Sequence, residues 1–503
     1  MKRTVRFYFA LVVSKMVKNL LKLLNREASY LPGKIAIKIC QDFLGMIEKP
    51  KIIIGVTGTN GKTTVSNLIT DCLEKCGYTV LNNRFGSNIN AGIASSLIKN
   101  VTLSQKVKAD IAVLEIDERS SPKIYPYLKP TYLVCSNLLR DSIKRNAHPE
   151  FIFNVINNAL PEETKLVLNA DDLISSNLGK NNAKVYFGVG EQEGDLKESR
   201  NIINDIRICP NCQTKLEYNY VKYNHIGNAY CPNCDFKSKE ADYLVTNIDY
   251  EKETLTVKHK EIETEYKLLN NSIFNIYNMA AVITLLREFG LSAEKVQELF
   301  KNLKITETRY TKEEINGVKL ISNMTKGQNS IATSCVFDYI SKEPGKKEVV
   351  LILDDAYDAK DSVENLTWIY DTDFEFLKDD KIEKIIVGGI RSKDYYIRLL
   401  LAGIDKEKII CEKEELDTYK YLSLDKDKTI YVLFELYKYD VAEKLKENGF
   451  TKELSKLDTA DITTFDAYAL SLVKKYHYYL NLSKDINITL PIASPLLTIE
   501  AKV

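Results

Sequence analysis

Charge of one sign is the first thing this sequence lacks. Its 503 residues carry 70 Lys and Arg against 69 Asp and Glu, a formal net charge of +1, so no global field draws the chain onto nucleic acid or anionic lipid, although a local basic patch stays open. Long apolar runs are missing too. The run FYFALVV near the start is about half of what a membrane span needs, and no transmembrane segment follows it. There is no internal repeat, no low-complexity tract, and no Ser-His-Asp or reactive-cysteine arrangement to suggest a hydrolase. With 45% hydrophobic and 28% charged residues, what remains is the composition of a soluble globular protein. The length is too great for one ordinary core and predicts two or three domains.

The segment Met1 to Asn25 pairs a basic start with that short apolar run and could be mistaken for a signal peptide. Lys15, Lys18 and Lys22 follow at helical spacing, so the pattern predicts an amphipathic helix with Phe7, Leu11, Val12, Val17 and Leu21 toward one side. Packing on its own domain is the ordinary role of such a helix, and contact with a membrane surface is the other. Without a signal peptide the expected compartment is the reducing cytoplasm, where ten cysteines do not imply disulfides.

The run KIIIGVTG, Lys51 to Gly58, followed by a helical pattern from Lys62 to Gly77, predicts strand, loop and helix. Further strand-like runs at Ile111 to Leu114, Tyr132 to Cys135 and Lys165 to Leu168 alternate with helical patterns, which points to a parallel sheet covered by helices. A second set, Val318 to Ser322, Val349 to Leu353, Lys384 to Val387 and Thr429 to Leu433, predicts a smaller, Rossmann-like α/β domain. The expected division is an N-terminal helical segment (1–45), a central ATPase domain (46–305), a C-terminal α/β domain (306–454) and an extension of unassigned role (455–503). The join falls near Leu303 to Arg309.

Gly58-Thr59-Asn60-Gly61-Lys62-Thr63-Thr64 lies between predicted strand and helix, the setting of a phosphate loop. Glycines let backbone N–H groups curl around phosphates, the helix start adds its dipole, Lys62 supplies a charge and Thr63 a hydroxyl for Mg²⁺. Val56 stands where the general P-loop pattern asks for glycine. An insertion at about 204–239 carries Cys209-Pro210-Asn211-Cys212 and Cys231-Pro232-Asn233-Cys234, the spacing of a four-cysteine Zn²⁺ ribbon.

The form GTNGKTT resembles the Mur ligase superfamily. In that family a carboxylate at a strand end holds Mg²⁺, and Glu115 in LEIDE matches it. The segment Asn275-Ile276-Tyr277-Asn278-Met279-Ala280-Ala281 resembles the stretch whose first asparagine contacts adenine, and Arg309 matches an arginine that reaches the phosphates. A full Mur ligase has a nucleotide-sugar domain in front, for which residues 1–57 leave too little chain.

Core, ribbon and short front together resemble the MurT family, the ligase subunits of lipid II isoglutaminyl synthase. The likeness covers about Leu31 to Gly449 and includes Leu31-Pro32-Gly33, Glu115-Ile116-Asp117-Glu118, Asn137-Leu138-Leu139-Arg140-Asp141, Asn169-Ala170-Asp171-Asp172, His225-Ile226-Gly227, Trp368-Ile369-Tyr370-Asp371 and Gly389-Ile390-Arg391-Ser392-Lys393-Asp394. It implies ATP- and Mg²⁺-dependent amidation of the D-glutamate α-carboxylate in lipid II, during peptidoglycan synthesis. Ammonia would come from a GatD-like glutaminase subunit, and the place would be the cytoplasm at the inner face of the membrane. It also implies that Asp354 or Asp358, in a stretch close to D-N-A-A-D-G, completes the partner's active site.

Four departures stand against the pattern. Ser142 replaces a metal-binding His of many Mur ligases, and no counterpart of their carbamylated lysine is visible. Ala359 replaces a glycine, and the stretch to Trp368 is longer. Competing expectations are a folylpolyglutamate-type ligase, a nucleic-acid-binding zinc-ribbon ATPase and an inactive scaffold. The ribbon argues against the first, and near-neutral charge against the second.

Overall fold

Three β-branched residues in a row, Ile52 to Ile54, begin β1 (Ile52–Thr57), whose Ile54 and Val56 enter one apolar core while Ile53 enters another. That period of two marks a strand buried on both faces. The computed structural model describes residues 2–84, 87–140, 148–303, 310–315, 317–325, 329–354, 366–423, 425–435, 438 and 441–444. Around β1 lie β2 (Val80–Asn82), β3 (Ile111–Glu115), β4 (Tyr132–Cys135), β5 (Lys165–Asn169) and β6 (Lys184–Val189). A hairpin of β7 (Glu217–Tyr223) and β8 (Ile226–Tyr230) forms its own small sheet, and β9 (Tyr243–Asp249), β10 (Thr254–His259) and β11 (Ile262–Lys267) return to the large one.

The large sheet has the order β11-β10-β9-β6-β5-β4-β1-β3-β2. It is parallel from β9 to β2, and β10 and β11 extend it antiparallel. Because β3 and β4 flank β1 on opposite sides, strand order reverses at β1, and a crevice opens at the carboxyl ends of these strands. One face is covered by α3 (Lys62–Lys75), α6 (Ile273–Glu288) and α7 (Ala293–Lys301). The other is covered by α1 (Val5–Leu23), α2 (Leu31–Ile39), α4 (Asn90–Asn100) and α5 (Pro149–Ala159). The helices before β1 therefore share a core with the sheet. Pro32 starts α2, and Gly33 lets it press on α4: a Cβ there would lie 1.9 Å from the Ala91 carbonyl oxygen.

Of the residues expected on the inner side of α1, Phe7 and Leu11 are buried, and Val17 and Leu21 are half-buried. Val12 is 42% exposed and corrects that expectation. It sits five residues beyond Phe7, which at 3.6 residues per turn carries it to the opposite face.

The second sheet runs β12-β13-β17-β14-β15-β16, made of β12 (Tyr310–Ile315), β13 (Val318–Thr325), β14 (Lys346–Ile352), β15 (Ile382–Gly388), β16 (Ile409–Glu412) and β17 (Lys428–Glu435). All are parallel except β12. Val349 and Leu351 pack under α8 (Ser330–Lys342) and α9 (Ser392–Leu401), while Val350 and Ile352 face the other way. The α/β alternation expected for both regions is thus present. Polar contacts join the two regions: Asn201 Nδ2 donates to Asp373 Oδ2 (2.8 Å), and Arg140 pairs with both Asp205 (2.7 Å) and Asp371 (3.5 Å).

Candidate active site

The turn after β1 passes through Gly58 (φ +124°) and Gly61 (φ +90°) before α3 begins at Lys62. These backbone angles favour glycine. The loop is braced from the end of β4: Thr59 N–H donates to Asn137 O (2.8 Å), Asn60 N–H to Asn137 Oδ1 (3.0 Å), and Leu139 N–H to Thr59 Oγ1 (2.9 Å). Asn329, which caps α8, donates to Asn60 Oδ1 (3.1 Å) and so brings the second region to the loop. With the amides of Thr59 and Asn60 engaged in this bracing, the donors arranged for an anion are those from Gly61 through Thr64, at the start of a 14-residue helix. Asn60 Nδ2 is buried and has no hydrogen-bond partner among the described residues, which leaves a donor for a ligand.

Lys62 Nζ binds the carbonyls of Gly58 and Thr59 and forms an ion pair with Glu118 at 2.7 Å. Glu118 is almost wholly buried. The ammonium is therefore held beside the loop by a carboxylate that does not face solvent. Thr63 Oγ1 donates to Glu115 Oε2 (2.8 Å), Asn88 Nδ2 donates to Glu115 Oε1 (2.9 Å), and Asn83 exchanges two hydrogen bonds with the Glu115 backbone. A hydroxyl and a carboxylate held together at a phosphate loop are the oxygen ligands that Mg²⁺ takes. The residues present fit that ion.

Helix α6 brings the asparagine segment to the same place. Asn278 Nδ2 donates to Asn275 Oδ1 (3.1 Å), and a Cβ on Gly61 would lie 2.1 Å from Asn278 Oδ1. The second asparagine thus packs on the loop while the first stands at the helix start, capped by Ser272. Arg309, Ser142, Asp358 and Ala359 lie outside the described residues, as does the extension from Ser455.

Beneath the loop, Asp172 Oδ2 accepts from Leu138 N–H (2.7 Å), and its Oδ1 faces His225 Nε2 at 3.0 Å. Both side chains are fully buried. Burial opposes the charge of Asp172, but the hydrogen bond and charge of His225, with the N–H of Ile174, hold its carboxyl below the usual range. Asp171 behaves in the opposite way: burial pushes it up to about 6, against the bonds it accepts from Val189 N–H and the Tyr277 hydroxyl. The His225–Asp172 pair ties the insertion to the segment that braces the phosphate loop.

The four cysteines of the insertion converge. Cys209 and Cys234 Sγ are 3.5 Å apart, Cys212 and Cys231 Sγ 3.4 Å, and all four lie within 4.8 Å of one another. Thiolates around a tetrahedral Zn²⁺ at about 2.3 Å stand roughly 3.8 Å apart, so the set fits a structural zinc. Asn211 and Asn233 N–H groups point at Cys209 and Cys231 Sγ, the kind of contact that steadies a thiolate.

Asp354 follows β14 and is only 3% exposed. Its Oδ2 accepts from Arg391 N–H (3.1 Å) at the start of α9, and Gly389 (φ +116°) lies so close that a Cβ would be 2.3 Å from that oxygen. The likeness at Gly389 to Asp394 therefore marks a turn built around an aspartate on the neighbouring strand.

Sequence patterns place Glu118, Asn137, Asp172 and His225 in motifs but give them no role. Asn83, Asn88 and Asn329 have no pattern at all, because their partners are distant in sequence and only the sheet brings them together.

A reversed parallel sheet, a phosphate loop at the reversal and a hydroxyl–carboxylate pair beside it define the catalytic core of a Mur-type ATP-dependent ligase. The family model for the Mur ligase middle domain matches residues 56–286, and that for the MurT ligase C-terminal region matches 327–454. The MurT subunit of lipid II isoglutaminyl synthase (glutamine-hydrolysing) from Staphylococcus aureus strain COL is 32% identical over 421 residues, 82% of this chain and 91% of that one. The Streptococcus pneumoniae subunit is 30% identical over 389 residues, 76% and 84% of the two chains. This chain belongs to the MurT family. Among solved structures, a pseudomurein peptide ligase type C from Methanothermus fervidus aligns with TM-score 0.60 at 21% identity, covering 81% of this chain and 80% of that one. MurF ligase from Thermotoga maritima in complex with ADP aligns at 0.56 and 16%, covering 85% of each. These two likenesses concern the fold.

Proposed function

We propose that this chain is the ligase subunit of a glutamine-dependent enzyme that amidates the D-glutamate α-carboxylate of the lipid II stem peptide to D-isoglutamine. The observation that carries the reading is the extent of the likeness to named MurT subunits, which spans both the phosphate-loop region and the C-terminal sheet. ATP is the second substrate. A substrate carboxylate oxygen bonds to the γ-phosphorus, the bond from that phosphorus to the β–γ bridging oxygen breaks, and ADP departs. Ammonia then adds to the acyl carbon, inorganic phosphate leaves with the electrons of the C–O bond, and the nitrogen sheds a proton.

Lys62 and the N–H groups from Gly61 to Thr64 hold the phosphates and offset charge that grows on the transferring group. Thr63 and Glu115 hold Mg²⁺, which when bound neutralises charge on the β- and γ-phosphates. Asn275 meets the adenine and Arg309 the phosphates. Zn²⁺ on Cys209, Cys212, Cys231 and Cys234 is structural, since four thiolates leave no open position for a reactant. A separate GatD-like glutaminase supplies ammonia. An aspartate after β14 completes its site, and Asp358 is the better candidate because Asp354 is buried against α9. The work is done at the inner face of the membrane, where lipid II is anchored.

The test is co-expression with a glutaminase subunit, followed by mass spectrometry of lipid II incubated with ATP and glutamine. Conversion of the acid to the amide is expected. ATP turnover without an amidated product would overturn the reading.

A further inference from the structure

Helix α1 has two apolar faces. Phe7, Ala10 and Leu11 are buried in the core shared with α2 and α4. On the opposite side Val5 (88% exposed), Phe9 (60%), Val12 (42%), Met16 (65%), Leu20 (56%) and Leu23 (84%) stand in solvent. Their spacing of four, three, four, four and three residues puts them on one stripe. The stripe runs nearly the whole of a 19-residue helix, about 28 Å at 1.5 Å per residue. A row of large apolar side chains of this length is not the scatter of single exposed residues that an ordinary surface carries.

The charge carried by the segment itself has one sign. Between Met1 and Leu24 the sequence has Lys2, Arg3, Arg6, Lys15, Lys18 and Lys22 and no Asp or Glu, although the whole chain is almost neutral. Lys15 and Lys22 flank the stripe on one side, whereas Lys18 lies further round, on the side of the buried Phe7 and Leu11, and Arg3 and Arg6 are held by Glu48 and by the Ile39 carbonyl. Lys15 Nζ reaches back to the carbonyls of Ile98 and Val101 at the end of α4, which fixes that side on the domain. Burial, and then the charges of Lys108, Lys22 and Lys99, hold the Lys18 ammonium below its usual range, so lysines from two further segments add to the same field. No described helix is long and apolar enough to cross a membrane. An apolar stripe beside a basic rim on a helix that cannot span is the pattern of an interfacial helix, whose apolar face enters the boundary between headgroups and acyl chains while the lysines meet anionic headgroups.

We propose that the outer face of α1 docks this protein onto an anionic lipid bilayer, with Phe9, Met16 and Leu20 inserted and the exposed Lys2 and Lys22 against the headgroups. The surface would deliver the domain to a lipid-linked substrate. That consequence rests on the function proposed above, whereas the docking itself does not.

The direct test is flotation of the full chain with vesicles containing phosphatidylglycerol and with vesicles of phosphatidylcholine alone. Binding is expected to the anionic vesicles and to weaken as salt rises. Phe9→Asp with Met16→Asp should reduce it roughly tenfold or more. Lys2→Glu with Lys22→Glu should abolish the preference for anionic lipid. Circular dichroism and nucleotide binding should be unchanged in both variants, since the replaced side chains lie outside the core and the phosphate loop. Failure of the unaltered chain to float, or equal binding by the Phe9→Asp, Met16→Asp variant, overturns the proposal. So does a self-association that this variant abolishes, which would make the stripe a contact between two copies. So does binding seen only after removal of residues 455–503, which would make it the seat of that extension. Amidation of a water-soluble stem-peptide analogue by the variants separates the two readings: activity there with loss of flotation upholds docking, and absence of activity in every form, with flotation intact, refutes the proposed reaction alone.

Discussion

At the carboxyl edge of β1 the chain turns through two positive-φ glycines into α3 and presents N–H groups, a lysine and a hydroxyl. At the carboxyl edge of β14 it reaches Asp354, which is buried and bonded to the start of α9 on the next strand's turn. Both edges belong to parallel strands followed by helices, and both use a left-handed glycine to let a polar group approach the backbone. In the first the helix start is left to an outside anion. In the second the protein supplies the anion itself, and the site is closed. Similar topology thus gives an open helix start at one edge and a capped one at the other, and what separates them is whether a carboxylate of the chain occupies the helix start.

The comparison breaks most visibly at Lys62. Lys62→Ala should reduce ATP-dependent amidation by roughly 10³-fold, measured in the reconstituted complex. It should also lower stability by about 3 kcal/mol, because Glu118 is left buried and unpaired. Adding Glu118→Gln should recover most of the stability and none of the activity, as read by urea unfolding. A smaller effect, about 10²-fold, is expected for Glu115→Gln. It should appear as a raised Mg²⁺ requirement in a titration of activity, and an unchanged Mg²⁺ dependence would remove Glu115 from the metal site. At the other edge, Asp354→Ala should cost about 1–3 kcal/mol in unfolding free energy by removing the buried carboxylate that accepts from the Arg391 N–H, while leaving nucleotide affinity as it was.

The mildest test concerns pH. Asp171 is raised from its ordinary value to about 6, so the folded state holds a proton that the unfolded state releases near pH 4. Its contribution to stability is therefore full below that lower value and is lost as pH rises through about 6. Asp171→Asn keeps an oxygen for Val189 N–H and the Tyr277 hydroxyl and cannot ionise. Urea unfolding at several pH values should show less decline between pH 4 and 7 for this variant than for the parent chain.

Much of the framework was legible in the sequence because buried parallel strands are continuous apolar runs: Tyr132–Cys135 is a strand with the expected bounds, and Ile52–Thr57 lies within its expected run. The antiparallel extension of β10 and β11 was not, since TLTVKH and IETEYK mix charged with apolar residues and read like surface. The phosphate loop and the paired cysteines are local patterns and announce themselves. The clamp on Lys62 by Glu118, the hold of Asn88 on Glu115 and the His225–Asp172 pair depend on residues 27 to 56 positions apart, which no local spacing encodes. Val12 was misplaced because a helix with two apolar faces gives no contrast by which to choose the inner one.

The central claim is that phosphoryl transfer at the loop after β1 and ammonia supply through an aspartate that follows β14 in sequence are separate jobs within one amidating enzyme, and the most direct measurement compares ammonia donors. In the complex reconstituted with its glutaminase, amidation of lipid II is followed with glutamine and then with high ammonium chloride, for Lys62→Ala and for Asp358→Asn. The account predicts that Lys62→Ala is inactive with both donors, while Asp358→Asn fails with glutamine and regains amidation with ammonia. Full glutamine-dependent activity in Asp358→Asn, or restoration of Lys62→Ala by ammonia, would contradict it.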